Sequence, residues 1–282
     1  MVVQTAGRKW LLWVVALVVM LAAGYWQRRV GPSYPFKGEV TVAGTSVAVR
    51  LPRNHTTASP QRVAIAAWDD EAAGTLWWRR FPTNDPFAAA PLVRTGDELA
   101  AELPLQPPAG KVEYYLELSA GDGTIRVPAG AADAVILRYK APVPLGFLVP
   151  HIAVMFLSML VGVRAGLAAL FKTGETRTLT WIALGGLTVG GMILGPIAQK
   201  YAFGAFWTGV PFGWDLTDNK TLLMWLGWGA AGIAFAWRAR AARATVVVAA
   251  LVMLAVYLVP HSLRGSELDY AQLQGPVRST SP

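Results

Sequence analysis

The sequence predicts a membrane-embedded α-helical bundle with five transmembrane helices, N-terminus inside and C-terminus outside, and an inserted extracytoplasmic β-sandwich of the fibronectin or immunoglobulin type. Three observations predict this class. The 282 residues are 54% hydrophobic with a mean hydropathy of +0.40, which is too apolar for an average soluble protein. The apolar residues are concentrated in five runs long enough, or nearly so, to cross a bilayer. A long segment with short alternating patterns separates the first run from the second.

The predicted domains follow the order of these features. Residues 1–30 form an N-terminal transmembrane anchor, residues 31–142 the β-sandwich, residues 143–265 a four-helix transmembrane domain, and residues 266–282 a polar tail. The five apolar runs are Trp10–Trp26, Leu145–Val163, Leu179–Ala198, Leu222–Trp237 and Ala244–Val259.

The N-terminal run resembles a signal peptide in its basic start and apolar centre. Its apolar part is long, however, and it ends in "YWQRR" at Tyr25–Arg29, a pattern of aromatic and basic residues that anchors helices at a membrane interface. We therefore expect a retained anchor and not a cleaved signal.

Segment 31–142 has the period-2 patterns of β-strands. "GEVTVAGTSVAVRLP", "RVAIAAWDD" and "TLWWRRFP" alternate or cluster β-formers, and Pro/Gly corners separate them, so about seven short strands are expected. "LPLQPPAGKVEYYLEL" resembles the later strands of fibronectin-type sandwiches. The Trp68, Trp77 and Trp78 group serves either core and sheet-face packing or a partner-binding face.

Lysine and arginine counts orient the helices. With the N-terminus inside, the cytoplasmic loops carry eight basic residues and one acid, while the remainder is nearly balanced. The formal net charge of +8 is therefore mostly a topology signal, which argues against nucleic-acid binding. The chain has no cysteine, which excludes disulfides, thiolate metal sites and c-type haem attachment. A bacterial inner (cytoplasmic) membrane location, with the large domain periplasmic, is expected.

The three histidines have different contexts. His55 lies in "RNHTTASP" and is expected to be a solvated loop residue. His151 and His261 each follow a Val-Pro, which predicts a helix boundary, and both fall on the outer face. Three interpretations stay open for this pair: interfacial residues hydrogen-bonded to backbone, axial ligands of one haem b iron, or ligands of a divalent transition metal together with acids. The acids available to such a metal are Asp215, Asp218 and Glu267.

The stretch "AFGAFWTGVPFGWDLTDNK" joins the third and fourth runs on the same outer face. Its glycines allow close backbone approach, and Asp215 or Asp218 can cap the following helix. Its aromatic side chains offer flat surfaces to a porphyrin or to lipid headgroups. Cations on the same outer face can pair with haem propionates or, as we favour for each, with Asp215, Asp218, Glu267 or Asp269. The aromatics are Phe203, Phe206, Trp207, Phe212 and Trp214; the glycines are Gly204, Gly209 and Gly213; the cations are Lys200, Lys220 and Arg264.

The order of these elements resembles the haem-handling membrane proteins of cytochrome c biogenesis that carry a WWD domain, over about residues 143–265. Trp214-Asp215 is followed by Asp218 and by Trp225-Leu226, as in that family's Trp-Asp, acid and helical Trp. "GAFW", "HIAVMFLSM" from His151 and "VPHSLRG" around His261 resemble its aromatic step and its two outer histidines. The chain differs in a longer "TGVPFG" insert, fewer tryptophans, five helices and no histidine within the bilayer.

The resemblance implies a haem-binding or haem-handling membrane protein with haem b between His151 and His261. The alternative is an accessory or scaffold subunit without cofactor, whose β-sandwich docks another membrane or extracytoplasmic protein. A second alternative is a membrane-embedded metal hydrolase, which would need an open metal position and a general base. The lipid bilayer is a partner under all three.

Overall fold

The computed structural model describes residues 6–120, 123–130, 133–260 and 268–270. Two compact units are present. A helical unit combines the N-terminal segment up to Pro32 with the chain from Val143 onward, and a β unit comprises Ser33–Pro142 and the C-terminal segment from Ser266.

Helices occur at each of the five apolar runs. The elements of the helical unit are α1 (Ala6–Val30), α2 (Leu145–Leu170), α3 (Thr176–Leu187), a π-helix (Thr188–Leu194), α4 (Gly195–Phe203), α5 (Leu216–Ala236) and α6 (Ala242–Leu258). Because α3, the π-helix and α4 follow one another without a break, they form one long helical rod.

Three of these helices are long and apolar enough to cross a membrane: Gly7–Val30, Leu145–Leu170 and Thr176–Phe203. Helix α6 is apolar but shorter, and α5 carries Asp218 and Lys220 in its first turns. The helical unit is therefore that of a membrane-associated protein.

Small residues bring the helices of this unit close together. A side chain on Gly166 of α2 would meet the Cβ of Ala250 of α6 at 2.6 Å, and one on Gly162 would meet Met253 and Trp228. Trp228 of α5 is fully buried in this core. Such close contacts are how helices associate where lipid provides no hydrophobic driving force.

The β unit contains three arrays of strands among its described residues, and their pairs are antiparallel except for the parallel pair of the third and eleventh strands. A hairpin pairs β1 (Phe36–Val42) with β2 (Thr45–Leu51). The largest sheet has the order β3-β11-β9-β5-β6, with β10 also paired to β9, and the third has the order β4-β8-β7. The strands of these two sheets are β3 (Asn54–Thr56), β4 (Gln61–Ala66), β5 (Gly74–Phe81), β6 (Ala88–Pro91), β7 (Val93–Thr95), β8 (Glu98–Leu103), β9 (Lys111–Ala120), β10 (Gly123–Val127) and β11 (Val135–Lys140).

All three arrays contribute to one core. Alternate residues point inward, as in β8, where Leu99 and Leu103 are fully buried, and in β9, where Tyr114 and Leu116 are. The Tyr114 hydroxyl donates a hydrogen bond to the Pro52 carbonyl oxygen at 2.7 Å, which satisfies its polar atom inside the core. Alternation of period two therefore produced the burial that the sequence predicts.

The number of strands differs from the prediction. Eleven strands are described where about seven were expected, because "GEVTVAGTSVAVRLP" is a tight hairpin and three strands of three or four residues carry little sequence signal. Ala43 and Gly44 turn this hairpin with φ of +48° and +83°. Two consecutive residues with positive φ are the signature of the turn that best matches strand twist.

The tryptophan group divides between the core of the β unit and the opposite face of its largest sheet. Trp68 and Trp78 pack against the core. Trp77 lies on the opposite face, where its ring stacks on Tyr115 with centroids 6.3 Å apart and its Nε1 donates to Glu117 Oε2 at 2.7 Å. Core packing accounts for two of the three tryptophans, and a sheet-face stack accounts for the third.

The C-terminal segment contributes a buried side chain to the β unit. The Tyr270 hydroxyl accepts a hydrogen bond from Lys111 N at 3.0 Å and lies 2.9 Å from Lys111 O and 3.0 Å from Gln106 Oε1. Burial raises the pKa of this hydroxyl, so it stays protonated. We expected a separate polar tail; its described residues instead anchor to the Pro-Pro-Ala-Gly corner, because that corner leaves backbone polar groups to satisfy.

Replacing Tyr270 by Phe should destabilise the β unit by roughly 1–3 kcal/mol, because the buried polar groups of Lys111 and Gln106 lose their partner while the ring volume is kept. The measurement is urea unfolding of the detergent-solubilised chain, followed by limited proteolysis of the β unit. Tyr115→Phe is the control, since its ring is packed and no hydrogen bond from its hydroxyl to the described residues is found. Equal midpoints for the two variants would contradict the role of Tyr270.

Candidate functional site

One end of the helical unit gathers most of the residues that the sequence singles out. Phe147 in the first turn of α2 stacks on Tyr201 near the end of α4, with ring centroids 5.6 Å apart. At the same end, Lys220 in the first turns of α5 donates a hydrogen bond to the Val259 carbonyl oxygen, where α6 ends. We call this the loop end, because it also carries the connection Gly204–Asp215 between α4 and α5.

His151 contacts the π-helix. Its Nδ1 lies 2.9 Å from the carbonyl oxygen of Gly190. Since a carbonyl oxygen only accepts, Nδ1 carries a proton, and in the neutral imidazole Nε2 then holds the lone pair. Nε2 makes no hydrogen bond to any residue in the described part of the chain. The contact therefore orients the imidazole and selects the tautomer whose Nε2 can coordinate a metal or accept a proton.

The carbonyl group that binds His151 belongs to the π-helix, where it also accepts a backbone hydrogen bond. In Thr188–Leu194 the hydrogen bonds skip one residue further than in an α-helix, and the Gly195 N–H binds Gly190 O. The widened turn packs closely on its neighbours: a side chain on Gly191 would meet Thr221 of α5 at 2.8 Å. Single π-turns are frequent at functional sites. Here the π-helix contacts α2 at His151 and packs against α5 at Thr221.

The predicted helix boundary at His151 is wrong. Helix α2 begins at Leu145 with Pro144 as its N-cap, so Pro150 lies inside the helix. A proline lacking its N–H is tolerated there because only one intrahelical hydrogen bond near the start of the helix is lost. The second Val-Pro, Val259-Pro260, also predicted a helix boundary, and this prediction is confirmed because α6 ends at Leu258.

Asp218 holds the loop together. Its Oδ2 accepts hydrogen bonds from Thr208 N at 2.6 Å, Thr208 Oγ1 at 3.2 Å, Gly209 N at 3.0 Å and Gln199 Nε2 at 3.0 Å. The residue is buried. Because these donors come from α4 and from the loop, one carboxylate of α5 ties three consecutive segments together, and charge-assisted bonds of this kind are the strong ones.

Further contacts close the loop on itself. Asp215 is the N-cap of α5, as expected, and its Oδ1 accepts from Thr217 N at 2.8 Å and Asp218 N at 3.2 Å. Val210 N donates to Asn219 Oδ1 at 2.7 Å, and Trp207 Nε1 donates to Val210 O at 3.0 Å. The loop is thus a folded element with a defined backbone.

The glycines of the loop serve this internal packing. Gly204 ends α4 with a φ of +90°, which favours glycine. At Gly209 a side chain would meet the Cβ of Asp218 at 2.6 Å, and at Gly213 it would meet Thr208 O at 2.5 Å. The predicted close backbone approach is therefore present at Gly209 and Gly213, between parts of the protein.

The loop presents aromatic surface outward. Phe212 and Trp214 are 82% and 85% exposed, and Phe206 is 57% exposed, whereas Trp207 and Phe203 are half-buried. A rigid backbone that exposes large apolar side chains marks a surface made for contact with lipid, ligand or protein.

Two of the three predicted cations, Lys200 and Lys220, donate to backbone carbonyls, whereas the sequence favours acids as their partners. Lys200 Nζ donates to Gly204 O at 2.6 Å and lies 5.5 Å from the centroid of Phe206. Lys220 is buried and donates to Val259 O. Within the described residues neither forms a salt bridge with Asp215 or Asp218. Those two carboxylates already have backbone donors as partners, which sequence alone could not reveal.

The remaining candidates lie elsewhere. His261, Arg264 and Glu267 fall outside the described residues. His55 lies in strand β3 of the β unit and not in a solvated loop; it is half-buried and contacts the Tyr139 ring edge-on at 5.9 Å. Its short strand was missed because it pairs in parallel with β11 over three residues. Among the residues described, no group of three or more His, Asp or Glu side chains could hold a metal ion.

Comparison with known proteins finds no family model that matches the chain and no curated protein that matches its sequence significantly.

The loop should open when the Asp218 carboxylate is removed. Asp218→Ala leaves the amides of Thr208 and Gly209 without acceptor, at a cost of roughly 2 kcal/mol, so their hydrogen exchange should accelerate about 30-fold. Peptides covering 205–212 report this by mass spectrometry of the micelle-bound protein. Asp215→Asn is the matched control, because asparagine also caps helices well and should leave the loop protected. Unchanged exchange in Asp218→Ala would contradict the proposed anchoring.

Proposed function

We propose that the chain is an integral membrane protein that binds or handles haem at the loop end, with a role in cytochrome maturation or a respiratory complex. The observation that carries this proposal is the His151 imidazole, whose Nδ1–H is committed to Gly190 O and whose Nε2 keeps its lone pair. Haem-ligating histidines are held in this way, with the second nitrogen hydrogen-bonded to a carbonyl or carboxylate. Haem iron, when bound, would supply redox and ligand-exchange chemistry.

Further features of the loop end support the proposal. The exposed rings of Phe206, Phe212 and Trp214 provide apolar, stackable surface at the same end of the helical unit. Lys220 brings the end of α6 to this region, and His261 follows Val259 by two residues in the chain. His151 and His261 are the proposed axial ligands, and Arg264 and Lys200 the proposed propionate partners.

The proposed topology places the loop end outside the cell membrane. Five helices span the bilayer of a bacterial inner membrane, with the N-terminus in the cytoplasm and an immunoglobulin- or fibronectin-like β-sandwich in the periplasm. The excess of lysine and arginine in the predicted cytoplasmic loops supports this orientation. Helix α5 reaches the outer interface with its capped, polar first turns.

A second candidate function is that of an accessory subunit which carries no cofactor and docks a partner through the β unit. The outer face of β5 and β9 favours it. There Arg79 lies 4.5 Å from the Phe87 ring, and Arg126 lies 3.6 Å from the Tyr115 ring. Arginine and aromatic residues are enriched at protein interfaces. The visible absorption spectrum of protein purified from haem-replete cells separates the two functions, because only the first gives a Soret band.

The topology can be tested with reporter fusions. A reporter placed after Arg240 should behave as cytoplasmic, and one placed after Gly265 as extracytoplasmic, because the basic loops stay inside. Alkaline phosphatase and a cytoplasmically active fluorescent protein form a complementary pair for this measurement. The reverse pattern would mean that the loop end lies on the cytoplasmic side of the membrane, which contradicts a periplasmic haem site.

The haem ligands can be tested by substitution. His151→Ala or His261→Ala should each abolish the six-coordinate, low-spin spectrum, and the double variant should lose little more, because the two residues act as one unit. His55→Ala should leave the spectrum unchanged. His151→Asn separates ligation from structure, since its amide can still donate to Gly190 O. Retention of the low-spin spectrum in His151→Asn would overturn the assignment of His151.

The contribution of the loop aromatics to haem retention can be tested by comparing two tryptophan variants. Trp214→Ala should release haem faster without changing the ligand field, because stacking surface is lost while the axial nitrogens remain. Trp237, at the opposite end of α5, is 81% exposed, almost as much as Trp214. Trp237→Ala should not alter haem transfer to apomyoglobin. Equal transfer rates for both variants would show that the loop does not hold haem.

A further inference from the structure

A second site lies at the end of the helical unit remote from the loop. From Phe147 at the loop end to Arg164, helix α2 advances about 25 Å. Here a groove of about 490 Å³ runs beside α1, walled by Trp13, Val14 and Leu17 of α1 and Leu160 of α2. Lys9 and Glu175 also line it.

The polar end of this groove carries more positive than negative charge. One carboxylate, Glu175, is shared by Lys9 Nζ at 3.1 Å and Arg164 Nη2 at 2.7 Å. Arg8 lies nearby in sequence, with its guanidinium 5.6 Å from the Phe171 ring centroid. Two ammonium or guanidinium groups against one carboxylate leave an unbalanced cation, and the Lys9 side chain is 46% exposed and therefore reachable.

Arg164 is unusual because it is both charged and fully buried, with 0% side-chain exposure. Its Nε and Nη1 have no hydrogen-bond partner among the described residues. Its guanidinium lies 5.5 Å from the ring centroid of Trp13, which is itself a wall of the groove. Leaving donors of a buried cation unpaired is costly, so negative charge bound beside Lys9, at the adjoining end of the groove, would be favourable.

The groove has the polarity of an amphiphile. Its charged residues are at the Lys9 end, and its apolar wall extends from there to Leu17, about 12 Å along α1. Both Val14 and Leu17 are exposed in the isolated chain. A free phosphate would use only the charged end, whereas a phospholipid would use both.

We propose that this groove binds one anionic phospholipid, with its phosphate at Lys9, close to the positive charge of the buried Arg164, and an acyl chain along Val14, Leu17 and Leu160. The proposal is independent of haem and requires only that the helical unit be embedded in a membrane. Basic pockets between transmembrane helices are a known way of recognising anionic headgroups. The lipid fastens α1 to α2 through contacts that neither helix makes alone.

The experiment uses the full chain, delipidated in dodecyl maltoside and mixed with dioleoyl phosphatidylglycerol, dioleoyl phosphatidylcholine or inorganic phosphate. Native mass spectrometry counts the lipids retained, and thermal unfolding reports stabilisation. We expect one tightly retained phosphatidylglycerol, at least a fivefold preference over phosphatidylcholine, and no stabilisation by phosphate alone. Equal retention of the two lipids, or equal stabilisation by inorganic phosphate, would overturn the proposal.

Variants locate the site. Lys9→Gln should reduce the preference for phosphatidylglycerol roughly fivefold, the effect expected for one basic residue near an anionic headgroup. Arg164→Met should do the same, and Val14→Trp should fill the groove and displace the lipid. Lys172→Gln removes a nearby cation that does not line the groove and should keep the preference. An unchanged preference in Lys9→Gln and Arg164→Met, or an equal loss in Lys172→Gln, would show that the attraction is general and not a site.

Discussion

The helical unit depends on one constraint: polar groups removed from water must find partners within the protein. The loop end meets this constraint closely. The Asp218 carboxylate takes donors from the loop and from α4, the Asp215 carboxylate takes the first amides of α5, and Lys220 takes the last carbonyl of α6. Asp218 and Lys220 thus each join α5 to another segment of the chain, whereas Asp215 caps α5 itself. The loop can therefore expose Phe212 and Trp214 without losing its backbone conformation.

The same constraint gives His151 its orientation. A π-helix leaves its carbonyls in a wider turn than an α-helix does, and the imidazole supplies a donor to one of them. This contact uses Nδ1 and leaves Nε2, so structural and chemical roles are divided between the two nitrogens of one ring. A histidine that only anchored a helix would need the first nitrogen alone. The tautomer is the link between the local backbone irregularity of Thr188–Leu194 and the capacity of this end to coordinate a ligand.

Sequence patterns predicted those elements whose physical cause is local. Hydrophobic runs gave the positions of the helices, alternation gave the inward residues of β8 and β9, and an aspartate before an apolar run gave the N-cap Asp215. They failed where the cause is tertiary. The position of Pro150 predicted a helix start because proline breaks helices, but α2 begins earlier, directly after its N-cap Pro144. The bond from Lys220 to the Val259 carbonyl oxygen, and the anchoring of Tyr270, depend on residues distant in sequence.

The shared carboxylates show a further limit of sequence reasoning. Counting charges in "GWDLTDNK" predicts ion pairs between Asp218 and a neighbouring lysine, because both are nearby in the chain. Folding instead points the carboxylate at backbone amides of the loop, since two amides and an amide side chain can approach it at once in a fixed geometry. Whether Asp218 pairs with a lysine or with backbone amides depends on the path of the Gly-rich loop, which the sequence does not reveal. The π-helix likewise has no sequence signature beyond its glycines.

The two ends of the helical unit consequently differ in the chemistry they can offer. At the loop end the Asp215 and Asp218 carboxylates accept from backbone amides, and Lys200 and Lys220 donate to backbone carbonyls. The haem proposal rests there on an imidazole nitrogen, exposed aromatic surface and the remaining donors of Lys200. At the opposite end a single carboxylate serves both Lys9 and Arg164, and guanidinium donors of Arg164 stay unpaired. That end favours an anion. Because α2 carries both His151 and Arg164, occupancy of the lipid groove and of the loop end would act on the same rigid helix, one at each of its ends.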